Sequence, residues 1–152
     1  YRMRNLLSTL LDFFRLDNGK EQPRLYPCRS SAITHILETE FMPVAMNKGL
    51  SLTVKNIRDA VVLTDKERII QIGNNLLSNA IKFTEAGRVV LLVSLQKLSA
   101  VHYQLSITVS DSGPGIPKEE QERIFGEFTR LADTEEVEGF GLGLSITRSF
   151  CP

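Results

Sequence analysis

Apolar positions recur with helical period from the first residues of the chain. Met3, Leu7, Leu10 and Phe14 follow a 4-3-4 spacing, and Leu6, Leu11 and Phe13 widen the stripe. Such a stripe fits the seam of a helical bundle or coiled coil, and with no capping residue ahead of it this helix is expected to start before Tyr1. Asp17-Asn18-Gly19 stops it, glycine suiting the left-handed residue past a helix end. The following stretch, with Pro23 and Pro27, reads as a linker. A second helix, capped by Ser30 or Ser31, presents Ile33, Ile36, Leu37, Phe41, Val44 and Ala45. Pro43 is expected to kink or split it, and Lys48-Gly49 to end it. Leu50, Leu52 and Val54 then alternate as a strand, and Val61 to Leu63 form a shorter one. Asp65 caps a third helix over about 66–83. Gly87 turns the chain into a hairpin-like pair, Val89 to Leu95 and Gln104 to Ser110. After a Gly/Pro-rich turn, Asp111 to Pro117, the pattern predicts a short acidic helix, a polar loop over about 126–140 and a final helix near Leu142 to Phe150. Helices and strands mix without strict alternation, which predicts an α+β fold rather than a doubly wound sheet. There is no internal repeat.

Composition narrows the class. A chain of 152 residues with 42% hydrophobic and 24% charged side chains has the size and make-up of one globular domain. Its 18 basic and 18 acidic residues cancel, which excludes a surface built throughout to grip nucleic acid or an anionic membrane. The cancellation is uneven along the chain. Residues 1–58 hold nine Lys/Arg against five Asp/Glu, whereas residues 117–138 hold three against eight. Cys28 and Cys151 lie far apart, so neither a disulfide framework nor a zinc site is expected. No uncharged run is long enough for a membrane span, and the N-terminus has no signal-peptide cleavage site, so any membrane contact would come through segments outside this sequence.

Three clusters could carry chemistry. In Gln71-Ile-Gly-Asn-Asn75-Leu-Leu-Ser-Asn79-Ala-Ile-Lys82-Phe83-Thr84, the side chains of Gln71, Asn75 and Asn79 share a helix face, with Lys82 a turn further on. Neutral amide oxygens can complete a Mg²⁺ shell when phosphates supply the anionic ligands, and a lysine nearby can hold those phosphates. The same pattern also suits a helix with a solvated polar face, although three asparagines within six residues disfavour a helix without some other return. The second cluster is Asp111-Ser-Gly113-Pro-Gly115-Ile116, directly after a strand. It reads either as a tight turn or as a close approach of backbone to ligand, with a carboxylate placed to accept from an exocyclic amine. The third is Gly139-Phe-Gly141-Leu142-Gly143-Leu144, opening a helix whose N-terminal amides suit phosphate. It follows no strand and lacks the lysine of a Walker loop, so it is neither a Rossmann nor a P-loop signature.

In their order, N-L-L-S-N-A-I-K-F-T, D-S-G-P-G-I, I-F-G-E-F-T-R and G-F-G-L-G-L resemble the N, G1, F and G2 boxes of sensor histidine kinases, hybrid two-component sensors among them. The resemblance spans about residues 30–149, and L-L-D-F-F-R-L-D-N-G-K looks like the end of the dimerisation helix that precedes such domains. It implies a two-layer α/β sandwich, a mixed sheet packed on three helices. The implied layout is a dimerisation-helix end over 1–18, a linker over 19–29 and an ATP-binding catalytic domain over 30–152. This family normally continues past the G2 helix through two strands, which the sequence ending in Ser-Phe-Cys-Pro does not include.

The resemblance also implies roles. Asn79, with Asn75 beside it, would hold Mg²⁺; Lys82 would contact phosphate oxygens, and Phe83 would stand at the adenine or ribose. Asp111 would recognise the adenine amino group, Gly113 and Gly115 would wall the base pocket, and Ile116 would pack on it. Phe125 and Phe128 would anchor the lid hinge, with Arg130 approaching the phosphates. Gly139, Gly141 and Gly143 would deliver amides to the phosphates, backed by Leu142 and Leu144. Related gyrase, chaperone and mismatch-repair ATPases carry a glutamate at position 75 that activates water; Asn75 cannot act as that base, so transfer to a histidine is expected over hydrolysis. Neither His35 nor His102 lies in a phosphoacceptor context, so the acceptor histidine is expected upstream. Implied partners are ATP, the dimerisation domain of the same protein and a receiver domain, with no nucleic acid. The full protein would be a homodimer anchored in a membrane, with this domain in the cytoplasm. The rival readings are a gyrase/chaperone-like ATPase and an interaction module that keeps the fold without nucleotide.

Overall fold

Strand β1 (Tyr26–Arg29) leads into helix α1 (Ser30–Asn47), then strands β2 (Ser51–Ile57) and β3 (Val61–Thr64). Helix α2 (Lys66–Phe83) follows, then β4 (Arg88–Lys97), β5 (Tyr103–Asp111) and a single 3₁₀ turn, Arg123–Phe125. These elements come from a computed structural model of the chain, which describes residues 22–100, 102–125 and 144. Two compact units are present. Residues 23–114 form one and carry the five strands and two α-helices named above; residues 1–22 and 115–152 form the other.

Two sheets build the larger unit. β2 runs parallel to β4, and β4 pairs antiparallel with β5, so the three-stranded sheet is mixed. β1 and β3 form a separate antiparallel pair, with Cys28 opposite Val62. β4 lies in the centre of its sheet and alternates strictly: Val89, Leu91, Val93 and Leu95 are buried on one face. Against that face pack Ile33, Leu37, Phe41 and Ala45 of α1, Leu77, Ala80 and Ile81 of α2, and Leu50 and Leu52. This is the α+β fold expected from the pattern, arranged as the sandwich that the resemblance implies, with two helices among the described residues.

Several local expectations are corrected. Residues 26–29, read as the end of a linker, are a strand. Pro27 is tolerated because a two-stranded sheet leaves every residue at an edge, where a missing N–H need not break a ladder. Pro43 neither splits nor ends α1, which runs unbroken through it. Thr39, whose carbonyl loses its i+4 donor to the proline, is exposed, as is Pro43, so water can satisfy that carbonyl. Val44 is 48% exposed rather than on the buried face. Nor does Ser30 or Ser31 cap α1 with its own side chain. Asp59, from the β2–β3 turn, does so from outside: its Oδ1 accepts from the Ser31 N–H at 3.0 Å and the Ser30 hydroxyl at 3.2 Å. The acidic segment after Pro117 forms turns and the 3₁₀ turn, not an α-helix. Ile116 and Phe125 at its ends remain exposed, so no apolar face is buried there to hold a helix.

Two of the helix ends foreseen from sequence, Lys48-Gly49 and Asp65, are formed. Gly49 adopts φ +76°. Its N–H bonds Met46 and that of Leu50 bonds Ala45, closing α1 as a Schellman motif. At the start of α2, Asp65 Oδ1 accepts from the Arg68 N–H at 3.2 Å.

Candidate functional site

The polar face of α2 is held up by what lies behind it. Leu77, Ala80 and Ile81 are buried in the core, while Asn75, Asn79 and Lys82 are half-buried at its margin. Spacings of four and three residues put these three side chains on successive turns of one face. Helix α2 can sit close to α1 because of Gly73. A Cβ there would lie 2.6 Å from Cδ1 of the fully buried Leu37, which would have to shift.

The end of α2 is tied down twice. Thr84, fully buried, returns its N–H to the Ala80 carbonyl at 3.1 Å. Lys48, from the end of α1, donates its ammonium to the carbonyl oxygens of Ile81 and Lys82, 2.7 Å from each. The Lys82 ammonium lies 4.9 Å from the centre of the Phe83 ring, within cation–π range.

The end of β5 meets the end of α2. Asp111 Oδ1 accepts from the Gly113 N–H at 2.8 Å and from the Thr84 hydroxyl at 3.3 Å. Its other oxygen, Oδ2, meets no donor among the described residues. Gly113 has no space for a side chain: a Cβ would stand 2.7 Å from Asp111 Oδ1 and 3.3 Å from both the Phe83 carbonyl and Thr84 Oγ1. Ser112 pins the same turn to the start of β4, accepting from the Arg88 N–H at 3.0 Å and donating to the Ala86 carbonyl at 3.2 Å. Gly87, at φ +112°, leaves room for that hydroxyl; any Cβ would strike Ser112 Oγ.

The structure therefore joins two of the three clusters found in the sequence. Asn75, Asn79, Lys82 and Phe83 occupy the last turns of α2, and Asp111 with Gly113 is bonded to its end through Thr84. Gly115 and Ile116 belong to the second unit. Gly115 adopts φ +76°, which favours glycine, and Ile116 is 40% exposed. Phe125 lies in the 3₁₀ turn. Phe128, Arg130, Gly139, Gly141, Leu142 and Gly143 fall outside the described residues, whereas Leu144 is helical and half-buried. Two contributors had no sequence signal of their own. Thr84 closes the first cluster as its last residue, but its partner is 27 positions away. Lys48 read only as a helix stop; its acceptors are 33 and 34 positions away.

Among the described residues, no group of three His, Cys, Asp or Glu side chains is placed to hold a metal ion. Asn75 and Asn79 bring amide oxygens to this face of α2. Neutral oxygen ligands of this kind fit Mg²⁺ when the anionic ligands arrive on a nucleotide, so the donor set is compatible with a metal carried in on phosphate. Nor, among the described residues, is any helix long and apolar enough to cross a membrane.

In sequence and fold the chain is similar to known proteins. Residues 64–151 match the histidine kinase-, DNA gyrase B- and HSP90-like ATPase family. Over 149 residues, 95% of the chain, the sequence is 36% identical to the autoinducer 2 sensor kinase/phosphatase LuxQ of Vibrio vulnificus, of which it spans 17%. It is 37% identical over 149 residues, 94% of the chain, to the signal transduction histidine-protein kinase BarA of Escherichia coli, spanning 16% of that protein. The structure matches full-length ShkA, crystallised in complex with AMPPNP, with a TM-score of 0.80 and 28% identity over 97% of this chain and 30% of that one.

Proposed function

The chain belongs to the histidine kinase-, DNA gyrase B- and HSP90-like ATPases, and from that premise we propose that it is the catalytic domain of a two-component sensor kinase, binding ATP with Mg²⁺ and passing the γ-phosphoryl group to a histidine on a dimerisation helix. The observation that carries this reading is the Asp111 carboxylate, oriented by Thr84 and Gly113 and bonded to the end of the helix that bears Asn75, Asn79 and Lys82. One element thus offers an acceptor for a base amine, and the adjoining helix offers amides and a cation for a phosphate chain.

In this reading Asp111 Oδ2 accepts from the adenine amino group. Asn79 and Asn75 hold the phosphate-borne Mg²⁺, which supplies charge neutralisation on the transferring group. Lys82 holds phosphate oxygens and Phe83 stands at the adenine or ribose. Gly113, Gly115 and Ile116 line the base, while Phe125 and Phe128 hinge a lid that carries Arg130. Gly139, Gly141 and Gly143, with Leu142 and Leu144 behind them, direct amides to phosphate. Transfer breaks the bond between the γ-phosphorus and its bridging oxygen and forms a phosphorus–nitrogen bond to the histidine, releasing ADP. Little covalent chemistry falls to the protein, so the rate rests on alignment and charge stabilisation. Asn75, an amide, takes no proton from water, which favours transfer over hydrolysis.

The chain spans about a sixth of the length of LuxQ and of BarA, and the rest of the reading follows their kind. Residues 1–18 would close the dimerisation helix of a homodimer, a receiver domain would take the phosphoryl group, and the domain would lie in the cytoplasm beneath a membrane anchor. The test is to mix the chain with a purified dimerisation domain and labelled ATP. Labelled, acid-labile phosphohistidine is the expected product. Rapid ATP turnover by the chain alone, without phosphohistidine, would instead favour a gyrase-like ATPase.

A further inference from the structure

Lys48 is the first residue past α1, yet its charge is spent at the end of α2. Its ammonium donates to the carbonyls of Ile81 and Lys82, both at 2.7 Å. These carbonyls lie in the last turn of α2, where four C=O groups lack a helical partner and the negative end of the macrodipole falls. Charge-assisted bonds of this kind are roughly twice as strong as neutral ones. The reach is also prepared in advance. The Schellman motif fixes the backbone at Lys48, with Gly49 bonded to Met46, Leu50 bonded to Ala45, and the Leu50 side chain buried.

We infer that Lys48 is a positioning residue for the phosphate end of the nucleotide site, acting through Lys82. Two effects combine. Lys48 clamps the backbone of residues 81 and 82, so the stem from which Lys82 projects does not fray. It also occupies carbonyl acceptors that a lysine near a helix C-terminus can otherwise bond. Lys82 is such a lysine, the one basic residue in the last turn of α2. With the Ile81 and Lys82 carbonyls already engaged by Lys48, the Lys82 ammonium lies over the Phe83 ring rather than turned back on its own helix end. The inference rests on the reading of α2 as the phosphate-binding face.

Calorimetric titrations with ATP and with adenosine, both in Mg²⁺, separate this role from plain stabilisation. Lys48→Met keeps the apolar stem and removes the ammonium. Loss of an aligned charge contact predicts an ATP dissociation constant raised about tenfold, the equivalent of one charge-assisted bond, with adenosine binding changed less than about twofold. Lys48→Arg should restore ATP affinity, because a guanidinium can also donate to two carbonyls. In a Lys82→Met background, Lys48→Met should cost little further affinity, since interacting residues are not additive. Equal weakening of ATP and adenosine, or fully additive losses in the double variant, overturns the inference while leaving the site reading in place. Failure of the unsubstituted chain to bind either ligand overturns the site reading, and Lys48's role with it.

Discussion

Asp111 is exposed, and an exposed carboxylate ordinarily offers both oxygens to solvent in any orientation. Here Oδ1 is claimed by the Gly113 N–H and the Thr84 hydroxyl, so Oδ2 is the oxygen left to an incoming group. The orientation makes a substitution informative. In Asp111→Asn the amide oxygen should keep the two donors, which turns the NH₂ outward to face the adenine amine, donor against donor. With bonds to charged groups contributing about 1.5–3 kcal/mol, ATP affinity should fall by roughly ten- to a hundredfold. The preference for ATP over GTP should shrink as well, because the new donor suits a carbonyl. Calorimetry with both nucleotides checks this, and an Asn variant that binds ATP as tightly as the parent removes Asp111 from the site. Gly113→Ala should mimic part of the loss by pushing the carboxylate from a Cβ placed 2.7 Å away. Asn75, Asn79, Lys82 and Asp111 are legible in sequence because their arrangement is local, a helix face and a strand end. Thr84 is not, since its part is decided by an acceptor on another element.

Capping shows the same limit at the scale of the element. The start of α2 is readable because Asp65 caps its own helix, accepting from Arg68 three residues on. The start of α1 is not, because its cap comes from Asp59, across the β2–β3 turn. Asp65→Ala should cost about 1 kcal/mol in urea unfolding, a typical cap loss. Leu77→Ala, at a fully buried position behind the polar face, should cost about 3 kcal/mol through the cavity it leaves. Asp59 adds a pH signature. The Ser31 N–H above all, then the Arg29 guanidinium and the two serine hydroxyls, hold its carboxyl at about 2, below the ordinary 3.8, against the opposing pull of burial. The folded value is the lower one, so the ionised form favours the fold. That contribution is complete above about pH 4 and fades as pH falls through 2. Melting curves of the parent and Asp59→Asn should therefore differ at neutral pH and converge near pH 2. A gap that stays constant across this window would show that the ionised carboxylate is not what holds α1. Sheet membership is legible where alternation is clean, as in β4. It is hidden at β1, where two prolines within five residues outweigh a strand held by one neighbour and the buried Cys28.

Over the whole molecule the 18 basic and 18 acidic side chains cancel, so no long-range field draws a polyanion to this chain. Attraction for a triphosphate must be local, and among the described residues the local means are Lys82 and two neutral asparagines, with no acidic or histidine cluster able to take up a metal alone. Metal and nucleotide should therefore bind as a linked pair, each supplying what the other lacks, with the coupling reciprocal between them. Thermal unfolding reads this directly, because a ligand bound only to the folded state stabilises it by RT ln(1 + [L]/Kd), about 2.7 kcal/mol at a hundred times Kd. Mg²⁺ alone should leave the midpoint unmoved. ATP with a chelator should raise it slightly, through adenosine contacts at Asp111 and the Lys82 charge. The two together should raise it by more than the sum of the separate shifts, and Asn79→Ala should erase that surplus while keeping the chelator-resistant part. A midpoint raised as much by Mg²⁺ alone as by Mg-ATP would mean that the protein holds the metal by itself, and the division of labour between asparagine amides and phosphate oxygens would have to be abandoned.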